Sequence, residues 1–514
     1  MQINRRHFLM SAGATAGFLV MPGLFKADET AQELQAAATF QNPILQGDYP
    51  DPSIVRVGGL FYMTHSANTY CPAFLLWQSP NLVDWEPRGC ALTDYDGDLW
   101  APDLTFFQGK FYLYYITSGG NRVMTADTIQ GPWSKPIDLK VPFIDPGHIA
   151  TPDGKRFLHL SGGHAVELAS DGLSAVGPVK QVFEPWPIPK DWQIECTCLE
   201  GPKLFHRNDF YHLLVAQGGT AGPATSHMAI HARARTPLGP WEFSPHNPIV
   251  HTASRQERWW SRGHATAVEA ADASWWLVYH AYDKDYYTLG RSTLLEPLDW
   301  TADDWFHVPA GSDPAGLLKR PPGIPQPVRL EHSDDFASSE LNPLWRFWKE
   351  SGKGNYKVGG HVLHLTARGE SPANGRILTR ITGDKAYRIE VDVEVDEGAE
   401  GGLILYYNPA CYIGLSLNSK EVSLHLRGQR TRASNRSRIQ SNPARCTLRL
   451  VNRHHDVNLA FRAPDGDWVA WDTTYETSGY HHNVFGGFLD LRMALFASGQ
   501  GEVRFRKLNY AVLA

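Results

Sequence analysis

Charge is scarce in this 514-residue chain: Asp, Glu, Lys and Arg make up 20% of it, and the formal net charge is −6. No basic excess is present to draw nucleic acid or an anionic membrane. Helical periodicity is almost missing between residues 40 and 308, which argues against helical and α/β folds there. The apolar stretch Ser11 to Phe25 falls short of the ~20 residues a membrane-spanning helix needs. Cysteine is also sparse, with six residues at 71, 90, 196, 198, 411 and 446. Cys196-Thr197-Cys198 has no second pair nearby, so no zinc quartet is formed. On one strand Cys196 and Cys198 would point to the same face, a poor arrangement for a mutual bridge. They are read as small buried apolar residues.

Aromatic residues, by contrast, are abundant: 12% of the chain, with 17 Trp and 20 Tyr. Five times a short aromatic-aliphatic strand signature follows an acidic or histidine residue by 8 to 12 positions. Asp51, Asp103, Asp145, Glu200 and His264 precede Phe61, Phe111, Phe157, Phe210 and Trp275, and the aromatics are spaced 50, 46, 53 and 65 residues apart. A period of that length matches a four-stranded blade, so residues 39–308 are predicted to form a five-bladed β-propeller. Five turn signals agree: Ser79 to Trp85, Gly131-Pro132-Trp133, Gly177-Pro178, Gly239-Pro240-Trp241 and Glu296 to Trp300. Inner strands of a propeller line its channel in parallel, so the five polar residues should form a ring at one mouth.

Residues 309–329 hold Pro309, Pro314, Pro321, Pro322, Pro325 and Pro327, a density that marks a linker packed on the surface. From 330 to 514 strand patterns return, and the alternation from Arg388 to Val395 predicts half-buried strands of an antiparallel β-sandwich. The chain is thus expected to be all-β. His454-His455 and His481-His482 have no partners at ligand spacing and are read as surface or loop residues. At the other end, Arg5-Arg6 ahead of the apolar stretch resembles a twin-arginine (Tat) export signal. With Ala36-Ala37-Ala38 as cleavage site, residues 1–38 become leader and spacer, and a periplasmic or extracellular location is expected. No membrane insertion is expected after its removal.

Crowded carboxylates cannot all stay ionised, because like charges raise at least one pKa. One protonated carboxyl and one carboxylate are what cleavage of a glycosidic bond requires. The longer side chain of Glu200 favours it as the acid.

The motifs Tyr49-Pro50-Asp51-Pro52-Ser53, Trp100-Ala101-Pro102-Asp103-Leu104, Ile144-Asp145-Pro146, Leu199-Glu200-Gly201-Pro202, Gly263-His264-Ala265 and Gly290-Arg291-Ser292 occur in the order found in glycoside hydrolase family 43. The chain resembles the β-xylosidases and α-L-arabinofuranosidases of that family, including a concanavalin-like C-terminal domain. The resemblance implies an inverting, exo-acting enzyme that releases xylose or arabinofuranose from xylo- or arabino-oligosaccharides. It makes Asp51 the general base, Glu200 the general acid, and Asp145 the residue that orients the acid and tunes its pKa. Trp100, Asp103, Arg291 and His264 become candidate sugar contacts, with blade packing, loop support or a surface ion pair as plainer roles. No cofactor is required. A structural calcium in the channel, reached from His264 through waters, is optional, since Ala265 replaces a glycine of the family motif. The C-terminal domain either shapes the pocket or binds glycan.

Two other readings compete. A retaining fructosidase shares the fold and uses a Glu-Cys pair, present here as Glu195-Cys196, but Glu195 lies 15 residues before Phe210, out of register. A non-catalytic glycan-binding propeller would have no need of three carboxylates at equivalent positions.

Overall fold

The computed structural model describes residues 38–432 and 444–514, so the leader and spacer expected over residues 1–38 lie, but for Ala38, outside the described residues. Five antiparallel sheets follow one another along the chain. The first comprises Ser53–Val57, Leu60–Thr64, Ala73–Ser79 and Glu86–Leu92. The others open with inner strands Leu99–Phe107, Gly147–Ala150, Glu200–Arg207 and Trp259–Glu269. Each aromatic signature builds the second strand, as in Lys110–Thr117 and Trp275–Asp283. Its aromatic and branched residues fill the seams between blades. Phe74 and Leu76 of the first blade, for example, pack on Leu104, Leu113 and Tyr115 of the second. Fully burying one such side chain contributes about 1.5–3 kcal/mol.

The disc is closed by its ends. Asn42 exchanges hydrogen bonds with the backbone of Leu295 in the fifth blade. Thr39–Gln41 pairs with Leu317–Lys319, which anchors the Pro-rich segment. Two of the turn signals turn out to be strand interior. Gly177-Pro178 lies within Ala175–Gln181, and Pro297 within Arg291–Trp300. Both strands have little or no pairing on their outer side at those prolines, so the missing N–H breaks no ladder.

The C-terminal region is a sandwich of two eight-stranded sheets around one apolar core. Ala386–Val395 alternates as expected, with Ile389, Val391 and Val393 fully buried. Ala399–Asn408 is instead buried almost throughout. Its sheet packs on the sandwich core and also carries the side chains that meet the propeller. The propeller adds Tyr70–Cys71 to that sheet's edge by pairing with Arg346–Trp348. His454-His455 sit in a turn, with His454 exposed, and both histidine pairs also face this seam. His455 stacks on Tyr286 at 4.7 Å, and His481 on Tyr287 at 5.1 Å.

Candidate active site

Asp51 and Asp145 stand just before their strands in the left-handed region, at φ 56° and 58°, and His264 takes it (φ 52°) at a bulge inside Trp259–Glu269. Such backbone is costly for a non-glycine residue and is retained where the surroundings fix it. In the fourth blade Gly201 takes this conformation (φ 58°) directly after Glu200. These four side chains therefore converge at one mouth of the channel. They line a cavity of about 680 Å³ together with Trp100 and Arg291.

Asp103 does not join them. The inner strands shift register between Trp100 and Asp103 in the second blade, and between Glu200 and Lys203 in the fourth. Glu200 is thus matched by Trp100, and Asp103 by Lys203. Buried deeper in the channel, Asp103 pairs with Lys203 at 3.0 Å and accepts the N–H of His148 at 2.8 Å. It borders a separate cavity of about 490 Å³ further along the same strands.

Asp51 is held by every neighbour. Arg291 donates to its Oδ1 at 3.0 Å, Ser66 Oγ to its Oδ2, and His264 Nδ1 lies 3.3 Å from Oδ1. Its own N–H donates to His280 Nδ1 at 3.0 Å. The neutral ring then carries its proton on Nε2, facing Thr220 Oγ1 at 3.2 Å. Burial pushes the Asp51 carboxyl up, but the Arg291 guanidinium beside it outweighs burial and holds the group well below the ordinary range. Burial also lowers His264 to about 3 and His280 to about 4, so both rings are neutral at working pH. The permanent cation, Arg291, is what keeps Asp51 ionised.

The other two carboxyls are displaced in the opposite direction. Burial, with Asp51 close by, raises Asp145 to about 7. Burial, then the charges of Asp145 and Asp51, pushes Glu200 well above the usual carboxylate range. Asp145 Oδ2 accepts the N–H of Gly201 at 3.0 Å, which ties it to the backbone that aims Glu200. The site thus holds an ionised carboxylate and a protonated carboxylic acid in one cavity.

Donor atoms of Asp145, Glu200 and His264 lie within 4.8 Å of one another, the one metal-sized grouping among the described residues. Calcium prefers six to eight oxygen ligands. One imidazole and a carboxyl that keeps its proton fit that ion poorly.

Several contributors gave no sequence signal of their own. His280 is a polar residue inside a wholly buried strand, the only hint it offered. The C-terminal domain supplies Trp348, Asn408 and the segment Phe485 to Leu489 to the cavity wall. Phe488 sits 5.6 Å from the Arg291 guanidinium, and its carbonyl accepts from Asn68 at 3.2 Å. Glu195 also reaches the cavity, from a loop rather than an inner strand, where Oε2 accepts the N–H of Ala221 at 2.8 Å. In that loop Cys196 and Cys198 form a disulfide with Cα atoms 5.3 Å apart. The expectation of two buried apolar thiols is overturned because the segment is irregular, with Cys198 exposed, and is free to turn one sulfur onto the other.

A five-bladed propeller that sets an ionised carboxylate and a protonated carboxylic acid in one cavity defines a glycosidase. Residues 40–306 match the family model described as glycosyl hydrolases family 43, and residues 333–511 match the beta xylosidase C-terminal concanavalin A-like domain. The chain belongs to glycosyl hydrolase family 43. It is 27% identical to a non-reducing end alpha-L-arabinofuranosidase of Bacteroides ovatus, over 96% of this chain and 97% of that one. A xylan 1,3-beta-xylosidase of Vibrio sp is 32% identical over 58% of this chain and 63% of its own length. The crystal structure of a xylan beta-1,4-xylosidase from Bacillus halodurans has a TM-score of 0.81 at 24% identity, covering 92% of this chain and 99% of that one, a likeness of fold. Membership in this family sets aside the fructosidase and the non-catalytic readings.

Proposed function

We propose that the enzyme releases single pentose units, β-D-xylose or α-L-arabinofuranose, from the non-reducing ends of xylan- or arabinan-type oligosaccharides, with inversion. The observation that carries this reading is the convergence of Asp51, paired with Arg291, and the buried Glu200 and Asp145 on one cavity walled on one side by the second domain, an arrangement that favours ionised Asp51 and protonated Glu200. Asp51 takes a proton from a water whose oxygen bonds to the anomeric carbon. Glu200 gives its proton to the departing oxygen as the glycosidic bond breaks. Asp145 orients Glu200 and keeps its pKa high, and Arg291 keeps Asp51 ionised. Trp100 offers a flat face to the sugar. Names borne by relatives, an arabinofuranosidase and xylosidases, support a pentose substrate. Asp103, sealed in its ion pair, is assigned to the scaffold.

The test is a panel of nitrophenyl glycosides with the product anomers followed by NMR. Turnover of the β-D-xyloside or α-L-arabinofuranoside with inverted product is expected. Preference for the β-D-galactoside or β-D-fructoside, or retention of configuration, would remove the reading. We propose further that hydrolysis needs no metal, so dialysis against EDTA leaves kcat unchanged. Export through the Tat route is proposed from Arg5-Arg6 and the apolar stretch that follows it, and an Arg5→Lys, Arg6→Lys chain should then remain in the cytoplasm.

A further inference from the structure

Behind the ionised base lies a second group of buried charges that spans the two domains. Asp48 stands three residues before Asp51 and is 4% exposed. Its Oδ1 accepts the backbone N–H of Arg291 at 3.0 Å. The turn entering Arg291 is built around this carboxylate: at Gly290 (φ 73°) an added Cβ would stand 2.4 Å from Asp48 Oδ1. The guanidinium of Arg291 is turned to Asp51, so the propeller offers Asp48 no ion pair of its own among the described residues.

The sandwich supplies the cation. Arg492, 5% exposed, reaches Asp48 Oδ2 at 3.7 Å, donates from Nε to Asp490 Oδ1 at 2.6 Å, and covers the Tyr70 ring at 3.5 Å. One residue away, the N–H of Leu491 donates to the carbonyl of Thr288 at 2.8 Å, holding the other side of the same turn. A buried carboxylate without a partner is strongly destabilising. Without Arg492, Asp48 would keep its proton to still higher pH or move, and either change disturbs the anchor of Arg291.

We propose that Arg492 and Asp490 of the C-terminal domain are positioning residues for hydrolysis, acting through Asp48 on Arg291 and so on Asp51. The second domain then sets the charge state of the base as well as covering the pocket. Burial and the nearness of Asp490 raise Asp48 to about 7, as expected for two carboxyls gathered around one guanidinium. The proposal rests on Asp51 being the base.

The experiment uses the full chain carrying Arg492→Met, Arg492→Lys or Asp490→Asn, with kcat, KM and pH–rate profiles measured on the aryl pentoside that the wild type cleaves. For Arg492→Met, kcat is expected to fall about tenfold or more with KM little changed. The acid limb of the profile, which reports Asp51, should move up by about one pH unit. Arg492→Lys should recover part of both. A folded Arg492→Met enzyme with a wild-type acid limb, or one that loses activity through KM alone, overturns the proposal. If that variant does not fold, Arg492→Lys decides by the same two readouts, which should move in the same direction by less. Asp51→Asn separates the two claims: retained turnover there would remove the base assignment, whereas an inactive Asp51→Asn beside an unmoved limb removes only the clamp.

Discussion

Arg291 of the fifth blade donates to Asp51 of the first across a 3.0 Å hydrogen bond, with both side chains nearly sealed from solvent. The pair joins the last blade to the first and fixes the charge of the base. Arg291→Met should therefore lower kcat by about 10²-fold or more, a typical worth for acid–base assistance. The sign of the pH effect follows from the ionised form being the active one. Activity is lost as pH falls through the Asp51 pKa, and without the guanidinium that loss should begin at higher pH.

Glu200→Gln keeps the size of the acid and removes its proton. Turnover of an oligosaccharide should fall about 10²- to 10⁴-fold. A dinitrophenyl pentoside, whose leaving group departs without protonation, should be affected far less. Equal losses on both substrates would mean that Glu200 serves another step.

Asp48 and Asp145, both raised to about 7, make the native state bind more protons than the unfolded chain. For these groups stability is greatest at low pH and declines as pH rises from the ordinary carboxylate range to about 7. Asp51 acts in the opposite direction, its contribution being lost only as pH falls through its depressed pKa. Urea midpoints should accordingly drop between pH 5 and pH 8, which spans the upper part of that window. Asp145→Asn should flatten the trend.

Phe488 of the sandwich presents its ring to the Arg291 guanidinium at 5.6 Å. Truncation in Phe488→Ala opens the cavity wall without touching either carboxyl. KM should rise several-fold while the pH–rate profile keeps its shape, checked with steady-state kinetics on a short oligosaccharide.

Much of the propeller was legible because its signal is repetition. The aromatic second strands recur at blade length, and Asp51, Asp145, Glu200 and His264 do meet at one mouth. Asp103 was misplaced because a count from the aromatic does not register a bulge, and the shift between Trp100 and Asp103 moves its carboxylate down the channel. Alternation found Ala386–Val395 but had nothing to say about Arg376–Arg380 or Cys411–Asn418, which are buried on both faces and carry no period. The seam was the least legible part. Arg492 and Asp490 read as ordinary charges in a sandwich strand and loop until the fold brings Asp48 beside them.

Tyr70–Cys71 ends one of the sandwich sheets although it comes from the first blade. Cutting the chain in the Pro-rich segment would strip that sheet of its last strand and bare the main-chain donors and acceptors of Arg346–Trp348. An open margin of this kind recruits other chains. Truncated versions of either half should then clump or associate, and fusing this propeller to a foreign partner would require a replacement for two residues of shared backbone.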